Sequence, residues 1–115
     1  MFLNLQHNSL HVYMAVRDLV KEVYKVSMLL PSEEKFNMVS QIRRAALSVK
    51  LNLAEGSTRH SEQERKRYVE IARGSVVESD AALETAVDIN YIKVEQLQIM
   101  GEWLNKCFAM LSNMM

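Results

Sequence analysis

The chain has 115 residues, 49% of them hydrophobic, and its 14 basic and 14 acidic residues balance to a net charge of zero. This length suits one domain with one core, and the hydrophobic content excludes a disordered chain. Three glycines and one proline are too few for a turn-rich β protein. The sequence therefore predicts an all-α protein with a single domain, residues 1–115.

The start of the chain and its cysteine content bear on the compartment. The opening stretch MFLNLQHNSLH has neither a basic segment nor a small-residue cleavage site, so we expect no signal peptide. No apolar run approaches the roughly 20 residues of a membrane span. Cys107 has no second cysteine for a disulfide, which is typical of a reducing compartment. We expect a cytoplasmic protein with no membrane contact.

Apolar residues spaced by alternating threes and fours predict the first two helices. One such stripe runs through residues 12–30 and the next through residues 39–53. Ser32 is predicted to be the N-cap of the second helix, because acidic residues follow it in the first turn. Gly56 is predicted to lie just beyond that helix in the left-handed conformation.

The third helix is predicted to begin at a Ser-x-x-Glu capping box formed by Ser61 and Glu64. Its seam is made mostly of small residues: Tyr68, Ala72, Ser75, Ser79, Ala82, Ala86 and Ile89. After a turn at Asn90-Tyr91, a fourth helix follows, with its stripe at Leu97, Met100, Leu104, Phe108 and Leu111. Because the connections are short, the four helices predict an antiparallel up-down-up-down four-helix bundle.

Charge is distributed unevenly along the chain. Residues 43–73 carry a net charge of +4, and residues 78–102 carry a net charge of −5. Such a polarity can attract an anionic partner to one region, or it can align the subunits of a homo-oligomer with basic region against acidic region.

Candidate metal and catalytic groups are few. His7 and His11 are four residues apart, but a zinc site needs a third ligand, so an exposed or capping pair is expected instead. The Glu-x-x-His motif of di-metal bundles is missing, since the residue three after Glu55 is a threonine and the residue three after Glu78 is an alanine. Cys107 is expected to be a buried structural thiol. The sequence predicts no cofactor, no metal and no enzyme.

The basic residues around Gly56 offer a different kind of site. Arg65, Lys66 and Arg67 follow the predicted start of the third helix, and Arg59 lies in the loop before it. Backbone donors at a helix start, together with these bases, can hold a phosphate. The alternative is a solvated face stapled by pairs such as Glu62 with Lys66. Glu55 lies at a helix C-terminus and needs a cation or donor; Arg59, Arg43 or a neighbouring backbone is expected to supply it.

An ordered set of motifs covers most of the chain: Gln41-Ile42-Arg43-Arg44-Ala45-Ala46, Asn52-Leu53-Ala54-Glu55-Gly56, Arg59, Ser61, Glu64, Ile71-Ala72-Arg73-Gly74-Ser75, Glu78 and Tyr91-Ile92. This order resembles the four-helix bundle family named after 23S rRNA intervening sequences, also called the S23 ribosomal protein family. The resemblance implies a bacterial, cytoplasmic four-helix bundle. It also implies that eight residues of the family motifs have structural roles: Asn52, Glu55, Gly56, Ser61, Glu64, Gly74, Ser75 and Glu78.

The same family is similar to the accessory protein of diversity-generating retroelements, a ring-shaped homopentamer that works with nucleic acid. The resemblance therefore implies a homo-oligomer, specifically a pentamer. Two hypotheses follow: an oligomeric RNA-binding protein without enzymatic activity, or a protein–protein scaffold joined by basic-to-acidic subunit contacts. For the first hypothesis, the candidate phosphate contacts are Arg43, Arg44, Arg59, Arg65, Lys66, Arg67 and Arg73.

Overall fold

The structure is a computed structural model that describes the backbone throughout and the side chains of residues 1–7 and 10–115. Its four helices are α1 (His11–Ser27), α2 (Met38–Gly56), α3 (Glu62–Asp88) and α4 (Gln98–Ser112). Single 3-10 turns occupy Gln6–Ser9, Ser32–Glu34 and Val94–Leu97. Each helix packs against the next, and α1 packs against α4, which closes the bundle. The predicted all-α, antiparallel up-down-up-down four-helix bundle is confirmed.

The core lies along the axis of the bundle and takes residues from all four helices. Among its fully buried side chains are Val16, Leu19, Val23, Ile42, Val49, Met100, Cys107 and Leu111. The stripes predicted for α1 and α2 supply most of the buried residues of those helices. None of the helices in the described part of the chain is long and apolar enough to cross a membrane.

The start of α2 differs from the prediction. Ser32 opens a 3-10 turn, and α2 begins six residues later at Met38. Its first turn is capped by a residue four positions earlier in the chain, because the Glu34 carboxylate accepts a hydrogen bond of 3.3 Å from the Met38 N–H. The same oxygen accepts 3.2 Å from the Asn37 amide, so a carboxylate serves where a hydroxyl was predicted.

The predicted left-handed conformation of Gly56 is wrong. The glycine is the last residue of α2 and has a negative φ, and Ser57 after it is also helical, with φ −64° and ψ −19°. Its small size is needed for packing instead. A Cβ added at Gly56 would lie 2.5 Å from Cβ of Tyr68 on α3, which is closer than two carbons can approach. The glycine lets α2 and α3 meet at their shared corner.

The ends of α3 agree better with the sequence. Ser61 is the N-cap, and its hydroxyl accepts 3.1 Å from the Glu64 N–H, so the serine half of the capping box is confirmed. At the other end the turn falls at Asn90, whose φ of 67° is positive. Asparagine tolerates this left-handed conformation better than most residues do.

The buried face of α3 differs in part from the predicted seam. Ala72, Ser75, Ser79 and Ala86 are buried as predicted, but Tyr68 and Ala82 are only half-buried and Ile89 is exposed. Val69, Val76 and Leu83 supply the larger buried side chains of the helix. Ser75 lies on the side of α3 that meets α2, where its hydroxyl bonds to that of Ser48.

On α4 the predicted Phe108 is partly exposed, and Cys107 lies in the core instead. Burial raises the pKa of the Cys107 thiol to about 12, with Lys106 opposing the shift and Asp18 adding to it. The prediction of a buried structural thiol is confirmed.

Native Cys107 is therefore expected to resist iodoacetamide near neutral pH, whereas the urea-unfolded chain should be labelled readily. Above the ordinary thiol pKa the unfolded chain loses a proton that the folded chain keeps. The free energy of unfolding should consequently fall as pH rises from about 9 toward 12. Equal labelling rates for folded and unfolded protein would contradict this assignment.

Candidate nucleic-acid interface

The loop between α2 and α3 is held together by Arg59. Its Nη2 forms an ion pair with the Glu55 carboxylate and donates 2.9 Å to the Tyr68 hydroxyl, while its guanidinium lies 5.0 Å from the centroid of the Tyr68 ring. The hydrogen bond to Tyr68 is the chief reason that the pKa of Arg59 is raised. The predicted pairing of Glu55 with Arg59 is confirmed. Arg59 therefore holds the loop together and is not free to bind a ligand.

Two further bases of this corner also have partners within the chain. Arg65 Nη1 donates 2.9 Å to the Arg59 carbonyl and 2.8 Å to the His60 carbonyl, which ties the loop to α3. Lys66 pairs with Glu62 at 3.4 Å, as the solvated-face alternative predicts. A phosphate at the start of α3 would have to compete with these contacts.

Of the remaining four candidate bases, Arg67 lies beside Lys66 on one surface cavity, and Arg43 and Arg73 face other helices. Arg43 faces α1, where its Nε donates 2.8 Å to the Ser27 hydroxyl. Arg73 faces α4, with its Nη1 3.0 Å from Met115 Sδ and its guanidinium 4.7 Å from the Phe108 ring centroid. Arg44 and Arg67 are exposed on α2 and α3. The fold therefore does not gather the seven predicted residues into one site.

A different arrangement does combine bases with aromatic rings. We call it the α1–α2 face, and it consists of Tyr13, Arg17 and Tyr24 of α1 with Arg43 and Lys50 of α2. The Arg43 guanidinium lies 4.8 Å from the Tyr24 ring centroid, and Lys50 Nζ lies 6.0 Å from that of Tyr13. Residues 13, 17 and 24 share one side of α1 because they are four and seven positions apart.

The bases of the α1–α2 face are not neutralised within the chain. Among the described side chains, the ion pairs are Asp18–Lys21, Glu55–Arg59 and Glu62–Lys66. None of them involves Arg17, Arg43 or Lys50. Arg43, like Arg59, is held by a tyrosine ring and a hydroxyl, but unlike Arg59 it has no carboxylate partner among the described side chains, so its charge is available to an anion.

Sequence reasoning missed Tyr13, Arg17, Tyr24 and Lys50 as site residues because it grouped charges along the chain rather than by helix face. A signal was present. Arg17 and Tyr24 are seven residues apart, as are Arg43 and Lys50, and two helical turns bring such pairs to one side.

The N-terminal histidines were expected to be exposed or to act as caps, and for His7 this is wrong. It is buried, packs edge-on against Tyr13 at 4.7 Å between ring centroids, and has its Nδ1 3.2 Å from the Ser57 hydroxyl. That hydroxyl donates its one proton to the Ala54 carbonyl at 2.6 Å, so Nδ1 is the donor to Ser57. In this arrangement the imidazole does not act as a base toward the serine. The described residues contain no group of three metal-ligating side chains.

The remaining motif residues are mostly structural. Asn52 Nδ2 donates 2.9 Å to the Ser48 carbonyl, and the Ser75 hydroxyl donates 3.0 Å to the Ser48 hydroxyl, which sets α3 against α2. Gly74 is different, because a Cβ there would meet no atom within 4 Å. Glu78 is exposed.

Comparison with known proteins places the chain in a family. The sequence pattern of the 23S rRNA-intervening sequence proteins matches residues 8–113. The chain belongs to this family. One similar solved structure is that of a protein of unknown function from the S23 ribosomal protein family of Bacteroides thetaiotaomicron. It is 22% identical, covers 89% of this chain and 95% of its own, and has a TM-score of 0.80.

At that identity the structural likeness shows the fold of the 23S rRNA-intervening sequence protein, and the function of the relative is itself unknown. No curated protein matches the chain. The predicted link to retroelement accessory proteins and the predicted pentamer stay predictions.

Proposed function

We propose that this 23S rRNA-intervening sequence protein is a non-enzymatic, oligomeric binding protein that contacts RNA phosphates through its α1–α2 face. The observation that carries the proposal is the stacking of Arg43 on Tyr24 and of Lys50 on Tyr13, on a surface whose bases have no acidic partner among the described side chains. The family name, which refers to 23S rRNA intervening sequences, supports RNA as the class of ligand.

The chemistry of the face suits a single-stranded segment of RNA. Arg17 is exposed and can contact a phosphate, while Arg43 and Lys50 are held against rings. Tyr24 is 38% exposed, so part of its ring is open to stacking by an unpaired base. Base stacking and phosphate contacts of this kind give affinity with little sequence preference.

The double variant Arg17→Ala/Lys50→Ala tests the proposal. It should bind a fluorescently labelled single-stranded RNA more weakly than the unaltered chain in an anisotropy titration. The slope of log K against log salt should shrink by roughly 1.4, since each lost phosphate contact to a single strand removes about 0.7. Both substituted side chains lie at the surface or partly so, which leaves the core unchanged.

The matched control is Lys25→Ala/Lys106→Ala, which removes the same charge from other surfaces. Lys25 is exposed, and Lys106 lies 5.2 Å from the Trp103 ring centroid, so the control also removes one cation stacked on a ring. Binding by this control should match that of the unaltered chain. Absence of RNA binding at low salt, or equal weakening in the two double variants, would exclude the α1–α2 face and favour the scaffold hypothesis.

A further inference from the structure

A cavity of about 390 Å³ lies at the end of the bundle where the first 3-10 turn meets the corner between α2 and α3. Its volume is within the range of ~300–1,000 Å³ that is usual for small-molecule sites. Four apolar side chains line it: Leu10, Leu53, Val69 and Met114. Leu53 and Val69 belong to the core cluster, so the apolar walls are continuous with the core. These walls favour a ligand with an apolar body.

A polar ring is built into these walls. His7 lines the cavity and is 8% exposed. Its ring is held by the edge-on contact with Tyr13 and by the hydrogen bond between Nδ1 and the Ser57 hydroxyl. Because Nδ1 carries the proton of the neutral imidazole, Nε2 carries a lone pair and can accept a hydrogen bond. A buried acceptor of this kind is best matched by a hydroxyl group on the ligand.

A cation lies at the mouth of the cavity. Arg65 lines it and is exposed, and its two hydrogen bonds to loop carbonyls use Nη1 only, so Nη2 and Nε are further donors. Among the described residues, no acidic side chain lines the cavity and none forms an ion pair with Arg65. The planar guanidinium presents its donors in a geometry that suits a carboxylate.

We propose that this cavity binds a small hydroxy acid with an apolar body, whose hydroxyl donates to His7 Nε2 and whose carboxylate accepts from Arg65. Each part of the ligand follows from a separate observation. The walls require the apolar body, the buried acceptor requires the hydroxyl, and the cation requires the carboxylate. The cavity shares no base with the α1–α2 face, so the proposal does not depend on RNA binding.

Phenyllactate is a suitable probe, because it combines the three parts and has analogues that each lack one of them. Phenylpropionate lacks the hydroxyl, lactate lacks the ring, and the alcohol with a methyl group in place of the carboxylate lacks the charge. Phenyllactate should bind more tightly than each analogue.

An NMR titration with isotope-labelled methionine methyl groups measures this binding. Met114 lines the cavity, so its methyl signal should shift as phenyllactate is added. Met28, which is 76% exposed, and Met100, which is fully buried in the core, are internal controls whose signals should stay in place.

His7→Asn tests the hydroxyl contact. Asparagine can keep an N–H donor for Ser57, but it has no counterpart of Nε2. The affinity for phenyllactate should fall roughly 3–10-fold, which is the effect of one hydrogen bond, while the affinity for phenylpropionate should be the same in both chains. Equal losses for the two ligands would contradict the contact between His7 and the hydroxyl.

Arg65→Gln tests the carboxylate contact. The affinity for phenyllactate should fall roughly tenfold or more, because a hydrogen bond to a charged group is lost. Binding of the uncharged alcohol should not change, which shows that the cavity is intact. Arg67→Gln is the matched control, since Arg67 is exposed on the same helix but does not line the cavity. Its affinity for phenyllactate should equal that of the unaltered chain.

A Met114 signal that does not move in millimolar phenyllactate would overturn the proposal. So would equal binding of phenyllactate and all three analogues, or equal weakening by Arg65→Gln and Arg67→Gln. These outcomes are distinct from failure of the proposed function, because the RNA titration of the unaltered chain is made without phenyllactate and measures the α1–α2 face by itself.

Discussion

Replacing Gly56 with alanine is expected to lower the free energy of unfolding by up to about 2 kcal/mol. The added Cβ would lie 2.5 Å from Tyr68 Cβ and 3.2 Å from its Cγ, so α2 and α3 must separate at their corner. Overpacking of this kind typically costs about 1–3 kcal/mol. The gain in helix propensity from glycine to alanine, about 1 kcal/mol, offsets only part of that cost.

Gly74→Ala is the matched control, because Gly74 also lies within a helix but has open space around it. It should raise the free energy of unfolding by up to about 1 kcal/mol. Urea denaturation followed by circular dichroism, at one protein concentration for all variants, measures both. If Gly56→Ala is as stable as Gly74→Ala, the close contact with Tyr68 is not what requires a glycine at the corner.

Leu53→Ala is expected to have the larger effect on stability, a loss of roughly 2–5 kcal/mol. Leu53 is 2% exposed and belongs to the core cluster, so truncation leaves a cavity next to Gly56. Removing buried methylene groups costs their transfer energy and the energy of the cavity together. Such a loss is a large share of the total stability of a domain of this size.

Leu51→Ala is the control, two residues earlier on the same helix. Its side chain is 57% exposed, and its truncation should change the free energy of unfolding by no more than about 0.5 kcal/mol. Both substitutions are compared by urea denaturation at one protein concentration. Similar losses for Leu51 and Leu53 would contradict the orientation of α2.

For two residues of the corner between α2 and α3, the sequence predicts the structural role correctly. Ser61 caps α3, and Glu55 finds Arg59 four residues later. Both contacts are local, and local contacts are what spacing along a helix can predict. Gly56 was predicted at the right place for the wrong reason, because its neighbour Tyr68 is twelve residues away and on another helix.

The candidate binding surface shows the same division. Arg43 was predicted as a phosphate contact, but its contacts with α1 were not predicted. Tyr24 and Ser27 meet Arg43 only when α1 packs on α2. Conversely, Arg59 and Arg65 were predicted as phosphate contacts, but in the structure Arg59 bonds to the Tyr68 hydroxyl and Arg65 bonds to the loop carbonyls of Arg59 and His60.

The sequence by itself determined four helices, their order and the corner between α2 and α3, because three-four spacing and capping are properties of neighbouring residues. Only the tertiary structure decided which bases are free. It tied Arg59 and Arg65 to the corner between α2 and α3, and it placed Arg43 and Lys50 against the tyrosines of α1. The physical reason is that a charged side chain contacts whatever lies near it in space, and the rings of Tyr68, Tyr24 and Tyr13 reach these bases only when the helices pack.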